Sequence, residues 1–419
     1  MRIAVWHNLP SGGGKRALFD HVRGLVRRGH RVEGWTLDTA DPEYLPLGEL
    51  VPEHVVPLEH RPFRLPGTLG AVAARWPDLR RRMAAMERAC RRTAEEIHAG
   101  GFDVLLAGPC RLFGMPFLVR HLRVPSVVYL QEPNRYLYEA GLLGEAPLPW
   151  IGTARGGVVR EKRLGRFLAD AVQWQVLRSM AREEWLNARA CTALLVNSYY
   201  SREAVARSYG VDARVCPLGV DTERFRHLGL ERGRFVAGLG SFDRIKGVDL
   251  AVRALALLPE PRPPLVWIAN SGDGAYREET ARLAEELGVR LEVRMRVPEA
   301  ELVETLNRAA LLLYTSRLEP FGYAPLEANA CGAPVVAAAE AGVRETVRDG
   351  VNGLLVEREP AALAAAVRRL LDDPCLARRL GEQGERHVRE EWSLERAIDR
   401  IEAELRSAAA RPGAPAGVE

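Results

Sequence analysis

The chain has 419 residues, of which 47% are hydrophobic, and a formal net charge of +4. That length exceeds what one core usually fills and the apolar content is ample for packed cores, so two domains are expected. Six cysteines, none in a C-x-x-C or Cys/His cluster, argue against a zinc site or a disulfide framework and for a reducing cytosol.

The N-terminus opens directly on an apolar strand, and no later run lacks charges for the length a bilayer span needs, so the chain is expected to be neither secreted nor transmembrane. Charge is uneven: residues 1–218 hold 31 Lys and Arg against 22 Asp and Glu, and the remainder 28 against 33. Much of the excess sits in Arg75, Arg80, Arg81, Arg82, Arg88, Arg91 and Arg92, on a helical stretch that also carries Leu79, Met83, Met86 and Ala89. One reading is a surface for anionic lipid headgroups or a phosphate-bearing acceptor, at the inner face of a membrane. The other is a solvated face in an arginine-dominated chain whose only lysines are Lys15, Lys162 and Lys246.

In chain order, strands alternate with helices, which implies parallel sheets covered on both faces. A strand over 3–6 is followed by a loop with Gly12-Gly13-Gly14, a helix from about Arg16 to Arg28, a stop at Gly29-His30 and a strand over 31–36. Further strands are predicted at 104–107, 126–130 and 192–197, with a flexible segment around 152–157 before one long helix over 164–189. The stretch Pro217-Leu218-Gly219-Val220-Asp221 reads as a hinge, and a fresh strand opens at Phe235. The pattern then repeats: helix 248–258, strand 265–269, helix 275–287, strand 291–295, helix 299–309, strand 311–314. A final helix over 394–408 follows Trp392, and the Pro/Gly/Ala-rich tail 411–419 is expected to be disordered.

The most informative stretch is Glu319-Pro320-Phe321-Gly322-Tyr323-Ala324-Pro325-Leu326-Glu327, running into Ala328-Asn329-Ala330-Cys331-Gly332-Ala333-Pro334-Val335-Val336. Pro320 and Gly322 break regular structure after the apolar strand, and Pro325 suits the first turn of a short helix carrying Glu327. A helix start exposes amides of Phe321 to Leu326 and a positive dipole end, which suits a phosphate; the two acids suit hydroxyl groups. Together they describe a nucleotide-sugar pocket.

This stretch resembles the E-x7-E signature of retaining glycosyltransferases of the GT-B architecture, in particular the large family four. Gly332 to Val336 and Asp349-Gly350-Val351-Asn352-Gly353-Leu354-Leu355-Val356 look like that family's next two blocks, and the likeness covers nearly the whole chain. The resemblance implies two Rossmann-like, doubly wound parallel-sheet α/β domains facing a central cleft. The first, 1–218, would bind the acceptor, with the helix 394–410 packing back on it; the second, 219–393, would bind the nucleotide sugar. It implies that Glu319 binds hydroxyls of the donor sugar and that Glu327 grips the nucleoside ribose.

Gly240-Ser241-Phe242-Asp243-Arg244-Ile245-Lys246-Gly247 resembles the family's G-R-L-x-x-x-K-G block, where a cationic pair neutralises the departing diphosphate. Lys246 matches its position; Ser241 replaces the arginine, and Arg244 is the candidate to reach in instead. Gly13 and Gly14, after the first strand, allow close approach of backbone to a ligand, and in the family the equivalent loop lines the cleft beneath the donor phosphates. The G-x-G-x-x-G spacing of a dinucleotide fingerprint is absent. Tyr129-Leu130-Gln131-Glu132-Pro133 ends a first-domain strand, where open α/β sheets bind ligands. Many relatives carry a histidine where Gln131 stands, and glutamine also hydrogen-bonds a hydroxyl. Gln131 and Glu132 are thus acceptor-side candidates, with a turn residue before Pro133 as the alternative for Glu132.

The implied reaction is transfer of a hexose-type sugar, with retained anomeric configuration, from a nucleoside-diphosphate sugar to a sugar or lipid-linked acceptor or polysaccharide precursor. No cofactor is implied, and no Asp-x-Asp pair offers a metal site; no nucleic-acid partner is expected. Three other classes stay open: a sugar-nucleotide epimerase of the same architecture, a non-catalytic sugar-nucleotide-binding protein, and, least supported by its glycine spacing, an NAD-dependent Rossmann enzyme.

Overall fold

The computed structural model describes residues 1–138, 154–155, 158–159 and 164–411. These residues divide into two units, one formed by the described residues within 1–196, 201–215 and 401–411, the other by Asn197–Tyr200 and Cys216–Arg400. Each is built on one large parallel sheet, as the alternating pattern predicts.

In the first unit the strands are β1 (Arg2–Asn8), β2 (Arg31–Leu37), β3 (Glu53–Val56), β4 (Val104–Cys110) and β5 (Ser126–Gln131). β6 (Ala154–Arg155) and β7 (Val158–Val159) pair only with each other, antiparallel, and β8 (Ala193–Val196) and β9 (Arg214–Val215) complete the sheet. Its order is β3-β2-β1-β4-β5-β8-β9. The helices are α1 (Gly13–Arg27), α2 (Gly67–Gly100), α3 (Arg135–Tyr138), α4 (Leu164–Ala190) and, from Ser201 on, α5 (Tyr199–Tyr209). The core gathers Trp6, Trp35, Met86, Ile97, Leu105, Phe113, Val128 and Val196 between the sheet and its helices.

The second unit's sheet runs β12-β11-β10-β13-β14-β15. These strands are β10 (Val236–Leu239), β11 (Leu265–Ala269), β12 (Leu291–Met295), β13 (Leu311–Tyr314), β14 (Val335–Ala338) and β15 (Gly353–Val356). The helices are α6 (Val248–Ala256), α7 (Gly274–Glu286), α8 (Glu299–Arg308), α9 (Tyr323–Ala330), α10 (Val343–Thr346), α11 (Pro360–Asp372) and α12 (Pro374–Glu391), while α13 (Leu394–Ala409) starts in this unit and from Ile401 on belongs to the first. Central strands such as Leu-Leu-Leu-Tyr of β13 are buried along their whole length, because helices cover both faces of a parallel sheet.

In both sheets the strand order reverses once, at β1/β4 and at β10/β13. At such a point the loops leaving the two strands diverge to opposite faces, and the crevice at the carboxyl ends takes the ligand. Both sheets therefore offer one.

Several elements escaped the sequence pattern. β3 is an edge strand with only Val56 buried, so it has no apolar run to announce it. α12 contains Gly381 and Gly384, which read as breakers. A Cβ at Gly381 would stand 2.1 Å from the Gly332 carbonyl, and one at Gly384 2.6 Å from Asn329 Nδ2. α1 begins at Gly13 instead of near Arg16, so the glycines lie in its first turn. Of the segment expected to be flexible, 154–155 form β6, while 152, 153, 156 and 157 lie outside the described residues, as does the tail beyond 411. In the expected hinge, the Val220 amide donates to the Trp392 carbonyl at 2.8 Å and the Leu394 amide to the Val220 carbonyl at 2.8 Å. Among the described residues, no helix is long and apolar enough to cross a membrane.

Candidate functional site

The loop leaving β10 is shaped by its own side chains. Asp243 accepts the amides of Ile245 and Lys246 at 3.1 and 3.2 Å, and Phe242 is buried against Trp267 and Tyr276. Gly240, at φ 146°, lets the Lys246 stem pass: a Cβ there would meet Lys246 Cδ at 3.2 Å. The loop thus turns back over the sheet and delivers Lys246 to the end of β13.

There Lys246 Nζ donates to Glu319 Oε2 at 2.6 Å, and the Ser316 hydroxyl donates to the same oxygen at 2.8 Å. Burial is the largest influence on Glu319 and would raise its pKa, but the Lys246 ammonium and the Ser316 and Tyr314 hydroxyls outweigh it and hold it below the usual range. Burial likewise weighs most on Lys246 and pulls downward, yet the Glu319 carboxylate reverses the sign and keeps the ammonium charged. The end of β13 therefore presents a fixed ion pair at the strand-order reversal.

Beyond Glu319 the chain is held tightly. The Gly342 amide donates to the Glu319 carbonyl at 2.9 Å, and a Cβ at Gly342 would fall 2.0 Å from the Pro320 carbonyl oxygen. Phe321 is buried and its ring packs on Tyr323 and Trp392. Gly322, at φ 96°, turns the chain into α9, with Tyr323, Ala324 and Pro325 in its first turn and Leu326 and Glu327 behind them. That turn carries the positive end of the helix dipole. Glu327 is buried, and the Cys331 thiol is pushed up to about 12 by burial and, next, by the Glu327 carboxylate.

The downstream blocks anchor α9. Asn329 Nδ2 donates to the carbonyls of Ala333 and Asn352, and Asn352 Nδ2 donates to Asn329 Oδ1 and to the Thr346 carbonyl, all at 2.9 or 3.0 Å. Both asparagines are fully buried, so their bonds replace those lost to water and fix the helix that carries Glu327.

Two residues of the Gly240–Gly247 block lie elsewhere than the resemblance suggests. The Ser241 hydroxyl donates to Asp243 Oδ2 at 2.5 Å, so it serves the loop's own turn. Arg244 does not join Lys246: its guanidinium bonds the Glu279 carboxylate, stacks on Tyr276 at 4.9 Å and is 66% exposed. A nearby surface carboxylate on α7 captures it, which no local sequence signal announces.

In the first unit, two separately chosen positions meet. Gln131 Nε2 donates to the Gly14 carbonyl at 3.4 Å, and a Cβ at Gly14 would stand 3.2 Å from the Gln131 amide atoms. Gln131 itself takes φ 69°, a left-handed conformation rare for a side-chain-bearing residue. Glu132 faces Arg135 Nε at 3.7 Å. Gly13 opens α1 with no side chain to shield the backbone.

Sequence reasoning missed several groups near these sites. Lys15, noted only for its rarity, is buried and donates to the Asp41 carbonyl, and burial lowers its pKa. Glu184, on α4, is wholly buried; it accepts from Tyr209 at 2.7 Å and Asn134 at 3.3 Å, and burial pushes its pKa up to about 7. A charged residue within a helical pattern gives no sign of facing inward. Tyr314, by contrast, ends the strand predicted over 311–314, while Ser316 carries no sequence signal of its own.

The basic stretch on α2 is largely engaged within its unit. Arg82 pairs with Asp78 at 3.0 Å and Arg91 with Glu87 at 3.2 Å, while Arg80 and Arg81 stack on Trp76 and Phe63. Arg75 bonds Gln173 and Arg88 the Glu59 carbonyl. Solvated pairs of this kind contribute little individually.

A family profile described as Glycosyltransferase Family 4 matches residues 11–224, and one described as Glycosyl transferases group 1 matches residues 220–387. Among curated proteins, the D-inositol 3-phosphate glycosyltransferase 1 of Catenulispora acidiphila is 37% identical over 52% of this chain and 58% of its own length. The GDP-mannose-dependent alpha-(1-6)-phosphatidylinositol monomannoside mannosyltransferase of Mycolicibacterium smegmatis is 31% identical over 65% of this chain and 80% of its own. The chain spans about half the length of the first group of relatives, between 41% and 58%. Among solved structures, HepE of Anabaena in complex with UDP superimposes with a TM-score of 0.69 at 18% identity, covering 97% of this chain and all of that one. That likeness establishes the fold, two Rossmann-like parallel-sheet domains of the GT-B type. By both profiles together, the chain belongs to the group 1, family 4 glycosyltransferases.

Proposed function

We propose that this protein is a retaining, metal-independent hexosyltransferase that moves a sugar from a nucleoside-diphosphate sugar to an acceptor, lipid-linked or a polysaccharide precursor. The observation that carries this reading is the Lys246–Glu319 ion pair at the β10/β13 reversal, beside the opening turn of α9. Cleaving a glycosyl diphosphate needs stabilisation of a departing diphosphate and of a developing oxocarbenium ion. Lys246 and the positive end of α9 serve the first need; Glu319 holds sugar hydroxyls and Glu327 the ribose. Preorganised charges of this kind cost no reorganisation during the reaction, and loss of one such donor typically costs about 3 kcal/mol of barrier.

The names of the relatives support a nucleotide-sugar donor and a phosphorylated inositol type of acceptor. The positive excess of residues 1–218 suits an acidic acceptor of that class. We assign the protein to the cytoplasm, with its acceptor presented at the inner membrane face.

The test is a thermal-unfolding panel of nucleoside diphosphates followed by donor and acceptor assays. A ligand at a hundred times its Kd adds about 2.7 kcal/mol of stability. The expected result is a shift with one diphosphate, turnover abolished by Glu319→Ala, and a product with the donor's anomeric configuration by NMR. Donor interconversion without acceptor would mean an epimerase, and a panel without any shift would sink the reading.

A further inference from the structure

A departing diphosphate carries more than one negative charge, yet the β10 loop supplies one cation, already matched by Glu319. Ser241 is spent on Asp243 and Arg244 on Glu279. The missing charge has to come from another element.

Arg358 lies in the turn between β15 and α11. Its Nε donates to the Thr315 carbonyl at 3.2 Å, at the end of β13. The Thr315 hydroxyl in turn lies 2.9 Å from the carbonyls of both Lys246 and Gly247. A Cβ on Gly247 would stand 2.9 Å from Arg358 Nη2. The guanidinium therefore rests on the turn that carries Lys246, over the N-terminus of α6, whose cap is Gly247 at φ 68°.

That is an unfavourable place for a positive charge by itself. The helix start is electropositive, and Glu319, the carboxylate bonded to Lys246, is already matched. Although Glu357 and Glu359 flank Arg358 in sequence, among the described residues it forms no ion pair. A cation held over a helix start, on the turn of a lysine whose own charge Glu319 already matches, and without a carboxylate of its own, is a site completed by an anion. The fork of a guanidinium also matches two phosphate oxygens, which an ammonium cannot do.

We infer that Arg358 is the second phosphate-binding cation of this site, taking the diphosphate of the donor together with Lys246. This rests on the proposed nucleotide-sugar function and adds to it a residue from a loop outside the Gly240–Gly247 block. The Thr315 carbonyl fixes Nε, so the two terminal nitrogens are oriented before the ligand arrives.

The experiment is calorimetric titration of the full chain with UDP, GDP and the corresponding nucleosides, for wild type, Arg358→Met, Arg358→Gln, Arg358→Lys and Arg244→Met. Removing one charged hydrogen-bond donor from a phosphate weakens binding by about tenfold or more. Arg358→Met and Arg358→Gln are expected to lose that factor for the diphosphate that wild type binds, with nucleoside affinity unchanged. Arg358→Lys recovers part of it, and Arg244→Met stays within twofold of wild type. Arg358→Gln keeps a donor for the Thr315 carbonyl and guards against a variant that fails to fold. Diphosphate affinity within twofold of wild type in both neutral variants would overturn the inference. So would an equal loss for nucleoside and diphosphate, which marks a merely structural role. Failure of wild type to bind any diphosphate would instead remove the functional reading, and Arg358's role with it.

Discussion

Lys246 and Glu319 stand 73 residues apart in the chain and 2.6 Å apart in space, joined because β10 and β13 are neighbours in the sheet. Their side chains keep only 20% and 18% of their surface in solvent, so neither charge is well hydrated without the other. Breaking a pair of this burial leaves an uncompensated charge.

Lys246→Met should therefore destabilise the second unit by roughly 2 kcal/mol at neutral pH, below the range for fully buried pairs because a fifth of each side chain is wet. Lys246→Met with Glu319→Gln should recover most of that loss, since no lone charge remains. The sign with pH follows from Glu319: its folded pKa is depressed, so the pair's contribution is present above the ordinary carboxyl value of 4.5 and fades as pH falls through the folded value. Denaturant unfolding of the single and double variants at pH 7 and pH 4 measures it. Equal losses in single and double variants would contradict the pairing.

Gly342 tests the turn that presents Glu319. A methyl group at this position would meet the Pro320 carbonyl at 2.0 Å and the Phe321 amide at 3.0 Å, both backbone. Gly342→Ala should cost about 1–3 kcal/mol and lower transferase activity by displacing Glu319. A variant with wild-type unfolding temperature and turnover would show that the turn yields without consequence.

Gln131 stores strain for its place against Gly14. A left-handed backbone at a residue with a side chain costs on the order of 1 kcal/mol, which glycine does not incur. Gln131→Gly should accordingly be more stable than Gln131→Ala by about 1 kcal/mol, while both lose the bond to the Gly14 carbonyl and whatever activity depends on it. Thermal unfolding of the two variants decides, and a more stable alanine variant would remove the strain.

Glu184 makes the first unit sensitive to alkali. Its folded pKa is raised from 4.5 to about 7, so its contribution to stability is complete below pH 4.5 and is lost as pH rises through 7. Glu184→Gln keeps an acceptor for Tyr209 and has no charge to bury. It should match wild type near pH 4.5 and exceed it by up to about 3 kcal/mol at pH 8.5, from about 1.4 kcal/mol per pKa unit. Unfolding curves across that range check the sign, and a constant difference between the two proteins would refute it.

The sequence by itself determined the two parallel sheets and most central elements, because buried parallel strands are apolar throughout and alternate with amphipathic helices over short range. It also marked Glu319, Lys246, Gly14 and Gln131, since strand ends, glycines and helix starts are local features. Only the tertiary structure decided which of these meet. Strand order put Lys246 beside Glu319 and Gln131 beside Gly14, while a carboxylate on α7 drew Arg244 away to the surface. Arg358 beside Gly247, Glu184 facing inward and Gly381 pressed on the Gly332 carbonyl were illegible for the same reason. Their partners lie far along the chain, and contact between distant segments is set by how the strands pair, which periodicity and local propensity do not encode.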